Sequence, residues 1–183
     1  MVPWYTVLEP MALPTPIDES PESVRRALEP LRNDVTIALE SLGNGFAAGA
    51  IVRVAHSFLV REIVLVGDEP HYAKASMGME KYESVVRIAD AAAFAAHSAG
   101  RPVFAIERDS ARRSLYDPAP FPPGVVFLFG SERFGLSGEL LSLADEIVGI
   151  PMYGVNHSFP VAVAAGMVLG EWSRRRYCPG TCL

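Results

Sequence analysis

From residue 35 onward, short apolar runs alternate with longer segments of helical periodicity, and this alternation restricts the fold more than any other feature. Runs at 35–39, 62–66, 103–106, 125–129 and 146–150 read as five strands, because they are short and rich in β-branched or aromatic residues. Segments 46–58, 84–98, 137–144 and 161–177 read as helices. Gly100 and Pro102 stop the alanine-rich 84–98 segment, and Ser137 caps the one that follows the fourth strand. Strands separated by helix-length connections cannot pair as hairpins. The expected fold is therefore α/β, a mostly parallel sheet with helices on both faces.

Residues 1–33 read as an N-terminal arm ending in a short helix. Ser20 is its N-cap, Pro21 its first helical residue, and Pro30 stops it. Residues 34–177 form the α/β domain, and 178–183 a tail.

At 183 residues the chain suits one domain with a sizeable core. Its longest apolar stretches, 124–130 and 161–170, are too short to span a bilayer, so no membrane partner is expected. The N-terminus lacks the pattern of a secretory signal, which makes the cytoplasm the expected location. The two cysteines, Cys178 and Cys182, make neither a disulfide framework nor a metal site, and no metal is expected. A net charge of −5 argues against a uniformly basic surface. It still allows a local RNA-binding patch, for which Arg112 with Arg113, and Arg174 with Arg175 and Arg176, are candidates.

Gly43, Gly45 and Gly49 lie between a strand and a helix, as glycines do in loops that cradle a dinucleotide pyrophosphate. Asp68 and Glu69 end the next strand, where an acid for a ribose hydroxyl is expected. The spacing is one residue longer than the usual fingerprint, and no second domain remains to hold a substrate. A Rossmann-type oxidoreductase is the rival reading. The same helix carries Arg53, which could grip a phosphate bidentately.

Two later segments carry more information. Residues 127–137 (FLFGSERFGLS) join the fourth strand to a helix, and residues 150–160 (IPMYGVNHSFP) join the fifth to the apolar 161–177 helix. Both are loops at carboxyl ends of strands, where open α/β sheets bind ligands. Gly130 allows close backbone approach, while Ile150, Met152 and Phe159 offer apolar walls to a flat ring.

These segments, in order and with the Arg53 helix before them, resemble the three signatures of the SpoU/TrmH family of SPOUT RNA methyltransferases. The likeness covers roughly residues 35–177. It implies a C-terminal deep trefoil knot, S-adenosylmethionine as cofactor, a homodimer, and tRNA or rRNA as substrate, methylated on the ribose 2′-hydroxyl. By position, Gly130, Ile150, Met152, Phe159 and Ile106 match the cofactor-binding side. Arg53, Glu132 and Ser158 match the reaction centre.

Two residues depart from the pattern: Ala47 and Pro160 stand where the family usually has asparagine, with Asn44 and Asn156 nearby. A catalytically impaired RNA- or cofactor-binding module of the same fold is thus a second alternative. A guanidinium stays protonated, so Arg53 suits holding a phosphate and polarising a hydroxyl better than accepting a proton. Glu132 would orient it. His157, beside Ser158, is a candidate for proton transfer. Tyr82 and Trp172 read as packing residues, with Trp172 also a candidate for the dimer face.

Overall fold

The computed structural model describes residues 19–40, 43–68, 73–131 and 133–177. Among them, α1 spans Pro21–Leu28, β1 Asn33–Glu40, α2 Gly45–Ser57, β2 Val60–Val66, β3 Val85–Ile88 and α3 Ala91–His97. There follow β4 Val103–Ile106, β5 Arg113–Ser114, β6 Val126–Phe129, α4 Gly138–Leu141, β7 Glu146–Gly149 and α5 Val161–Tyr177. The strands form one sheet in the order β3-β2-β1-β6-β4-β7-β5, and every pairing is parallel.

Side chains alternate across the sheet with the period of two that a pleated strand requires. Ile37, Leu39, Phe127 and Phe129 face one core, shared with Ile51, Val52 and Ala55 of α2 and Val168, Leu169 and Trp172 of α5. Ala38, Val126 and Leu128 face the other, closed by Phe94 of α3 and Leu140 of α4. Both faces are thus covered, as the apolar 125–129 run anticipates. Trp172 is only 6% exposed and lies within the chain's own core, so it cannot serve as a dimer face.

Two strands went unrecognised in the sequence. The segment read as one helix over 84–98 is β3 followed by the shorter α3. Val85, Val86 and Ile88 extend along β2, with Ile63 opposite Val85 and Val66 opposite Ile88. Asp90 then starts α3 by accepting the Ala93 amide at 2.8 Å. Strand β5 is only two residues long, and Arg113 and Ser114 pair with Val148 and Gly149. The helix after Ser137 is one turn, continued by hydrogen-bonded turns to Ala144.

At the amino end of the sheet, buried Glu83 binds two partners. Arg32 reaches it at 2.7 Å and His56 at 2.7 Å, tying the exit of α1 to α2 and to the start of β3. Ser20 caps α1 as its residue type predicts.

Candidate active site

A cleft of about 540 Å³ opens at the carboxyl ends of β4, β6 and β7. Three segments enclose it: the strap after β4, the loop from β6 to α4, and the loop from β7 to α5.

The β6–α4 loop doubles back on itself. Ser131 and Gly135 exchange backbone hydrogen bonds at 3.2 and 2.9 Å, and the Ser131 hydroxyl accepts the Phe134 amide at 3.0 Å. Gly130 must be glycine here, because a Cβ would stand 2.2 Å from the Gly135 carbonyl. Gly135 turns the chain with φ +65. Two carboxylates fasten this loop from neighbouring strands. Glu107 accepts the Leu136 amide at 3.3 Å, and Glu40 accepts the Ser137 amide at 2.7 Å.

The strap after β4 is latched to the β7–α5 loop. Arg108 donates to the His157 carbonyl at 2.6 Å and, through Nε, to Asp109 at 2.6 Å. The Arg108 guanidinium holds the exposed Asp109 carboxyl below the usual carboxylate range. In the same β7–α5 loop, Asn156 donates to the Ser158 carbonyl at 3.2 Å and shapes the loop tip.

Seven of the residues singled out in the sequence line this single cleft: Ile106, Gly130, Ile150, Met152, His157, Ser158 and Phe159. Glu132 lies outside the described residues. Arg53 is not brought to the cleft; it is exposed on α2, and no described residue accepts a hydrogen bond from its guanidinium. Helix α2 nevertheless lies against α5, where a Cβ on Gly166 would meet Val54 at 3.9 Å.

Glu107, Arg108 and Asp109 also line the cleft, as do Arg133 and Phe134. Sequence reasoning missed their part. The signal that could have found the first three is their place directly after a strand, beside two ligand-type loops.

The glycine loop before α2 does not form a phosphate cradle. Asn44 caps the helix, accepting the Phe46 and Ala47 amides at 3.1 and 3.4 Å, which occupies donors that a pyrophosphate would need. Asn44 and Asn156 are each engaged in ordering their own segments. Glu69 and the two cysteines lie outside the described residues.

The expected arginine patches are mostly internal staples. Arg174 and Arg175 bind Glu171 at 2.7 and 2.8 Å. Arg175 also lies over Phe121, with its carbon 4.4 Å from the ring centroid, and donates to the Ala119 and Leu115 carbonyls. Arg113 stands over Phe104 and Phe121. Arg112 remains exposed. Among the described residues no group of His, Cys, Asp or Glu side chains could hold a metal ion, and no helix is long and apolar enough to cross a membrane.

The cleft fits a nucleoside-sized ligand in volume, in its mainly apolar walls of Ile106, Ile150, Met152 and Phe159, and in the close backbone approach at Gly130. A doubly covered parallel sheet with its cleft at the strands' carboxyl ends is the class of fold that binds nucleotide-like ligands there. Within that class, the model of the SpoU rRNA Methylase family matches residues 34–170, about three quarters of the chain, and this chain belongs to that family. It is 31% identical over 175 residues to a tRNA (guanosine(18)-2′-O)-methyltransferase of Thermus thermophilus, covering 88% of each chain. It is 33% identical over 158 residues to a 23S rRNA (adenosine(1067)-2′-O)-methyltransferase of Streptomyces laurentii, covering 81% of this chain and 57% of that one. Among solved structures, an AdoMet-bound rRNA methyltransferase from Sinorhizobium meliloti matches with a TM-score of 0.70 and 26% identity, over 84% of this chain and 60% of that one. A TrmH/SpoU tRNA modifying enzyme of A. aeolicus matches in fold with a TM-score of 0.74 at 23% identity, over 88% of this chain and 85% of that one.

Proposed function

We propose that this chain methylates ribose 2′-hydroxyls of tRNA or rRNA with S-adenosylmethionine, acting as a homodimer in the cytoplasm. The observation that carries this reading is the meeting of Ile106, Gly130, Ile150, Met152 and Phe159, drawn from three separate segments, in one cleft. The names of the relatives and the AdoMet-bound neighbour support it.

Ile106, Ile150, Met152 and Phe159 would hold the adenosine part of the cofactor between apolar walls, with backbone at Gly130 in close contact. The bound cofactor supplies an already activated methyl group. The chain's own task is then to place the ribose oxygen in line with that methyl and to exclude water. Ser158 stands at the cleft to hydrogen-bond a substrate hydroxyl. Glu132, matched to the reaction centre by its place in the sequence, would orient Arg53 or accept a hydrogen bond. Arg53 holds the phosphate next to the target ribose and polarises its hydroxyl; the guanidinium acts here by charge and geometry, not as a base. Because Arg53 does not line its own chain's cleft, it acts in the dimer or through the bound RNA.

A deep trefoil knot in the C-terminal part also belongs to this reading. In support, β7 lies between β4 and β5 while the strap joining those strands passes across its end. A Cβ on Gly149 would lie 2.8 Å from Ala111 and 3.5 Å from the Glu107 carbonyl.

The test is single-turnover methyl transfer to unmodified tRNA and rRNA, with the product digested to nucleosides. Methyl groups are expected on ribose, and methyl groups on bases alone would refute the assignment. Arg53→Ala should lose about 3 kcal/mol of transition-state stabilisation while cofactor affinity stays within a few-fold. Full activity in that variant would remove the proposed role.

A further inference from the structure

We propose that Phe134, backed by Arg133, is a stacking platform for an unpaired nucleobase at the mouth of the cleft, with Tyr153 on the opposite loop as a second aromatic contact. The inference rests on the RNA-methyltransferase reading and adds how the substrate is gripped.

Phe134 is 78% exposed and Tyr153 96% exposed. Leaving aromatic rings in water forgoes the stabilisation that burial would bring. Single exposed aromatics are common on protein surfaces, but these two sit on two of the three segments that enclose the cleft. Phe134 lines it, and Tyr153 follows the lining residue Met152.

Phe134 is also presented by an ordered backbone. It projects from the tight turn closed by Ser131 and Gly135, and the Ser131 hydroxyl accepts its amide. A backbone already ordered before binding loses little entropy when a ligand stacks on the side chain it carries. The Arg133 guanidinium carbon lies 5.0 Å from the ring centroid, which places a cation beside a π face. That combination suits single-stranded nucleic acid: the ring takes the flat face of a base and the guanidinium draws the adjoining phosphate. A base stacked at the cleft mouth would bring its own ribose toward Ser158 on the facing loop.

The experiment compares binding of two fluorescein-labelled probes to the full-length protein: a short oligoadenylate, and an abasic strand of equal length and charge. Wild type should prefer oligoadenylate. Phe134→Leu keeps apolar bulk without a π face and should weaken oligoadenylate binding roughly tenfold or more, with little effect on the abasic strand. Phe134→Tyr should restore the preference. Wild type that binds both strands equally, or a leucine variant that retains the preference, overturns the proposal. So does a leucine variant that changes only the oligomeric mass in light scattering, which would assign the ring to contact between copies. Calorimetry with S-adenosylmethionine separates the two levels of failure. Cofactor binding without base preference sinks the platform alone, whereas no binding of cofactor or either strand removes the RNA-methyltransferase reading beneath it.

Discussion

Glu171 lies almost wholly out of solvent on α5, its two oxygens shared between Arg174 and Arg175. The Arg174 hydrogen bond, with Arg175 adding to it against the opposing effect of burial, holds the Glu171 carboxyl down to about 2 from an ordinary 4.5. A carboxyl depressed on folding stabilises the native state above its unfolded pKa and loses that contribution as pH falls through the folded one. Glu171→Gln should therefore be less stable than wild type near neutral pH, by at most about 3 kcal/mol. The two proteins should converge as the pH drops from about 4.5 toward about 2. Denaturant unfolding at several pH values checks this, and a difference that does not depend on pH would contradict it. At this scale the sequence was a poor guide to which arginines are available. A run of three arginines looks like a basic patch; Glu171 stands at i,i+3 and i,i+4 spacing and was readable as a partner, but Phe121, over which Arg175 lies, is distant in sequence and was not. Glu107 and Arg108 were hidden for the same reason, since their partners lie far along the chain.

The elements were legible where one period dominates. Helix α5 begins and ends where its apolar spacing predicts, and α1 starts at the Ser20-Pro21 signal. Strand β3 was not legible, because Val85 and Val86 directly precede an alanine-rich stretch and the helical pattern absorbs them. Two-residue β5 carries no period to read; only its pairing with β7 defines it. The β6–α4 loop gives a direct test of the cleft. Gly130→Ala would force a methyl group into the Gly135 carbonyl. The loop must then open, at a cost of about 1–3 kcal/mol. The expected outcome is a lower melting temperature together with weakened S-adenosylmethionine binding by calorimetry. Unchanged affinity would mean that this loop does not shape the cofactor site.

For the whole molecule, the parallel pairing and both covered faces follow from the strand–helix alternation. The placement of β6 between β1 and β4 does not, because it arises from contacts between distant segments. Oligomeric state belongs to this scale too. With Trp172 committed to the core, the face of α5 left for a second copy includes Val163, 48% exposed, and the half-buried Met167. The proposed dimer should give a doubled mass in light scattering at micromolar concentration, and Val163→Glu should shift it toward monomer by placing a charge in an apolar contact. A wild-type monomer at that concentration would refute the dimer.

The strap after β4 has a kinetic consequence. Its backbone is hydrogen-bonded into β7 on both sides of the crossing: Glu107 donates to Val148, Arg112 to Ile147 and Leu115 to Gly149. Swinging the strap aside would break these bonds and strip the edge of the sheet, a large local unfolding event. Entry and exit of a ligand must instead run between the lips formed by Phe134 and the 152–158 segment. Ligand exchange is therefore expected to respond to substitutions at that mouth more than to the stability of the sheet beneath.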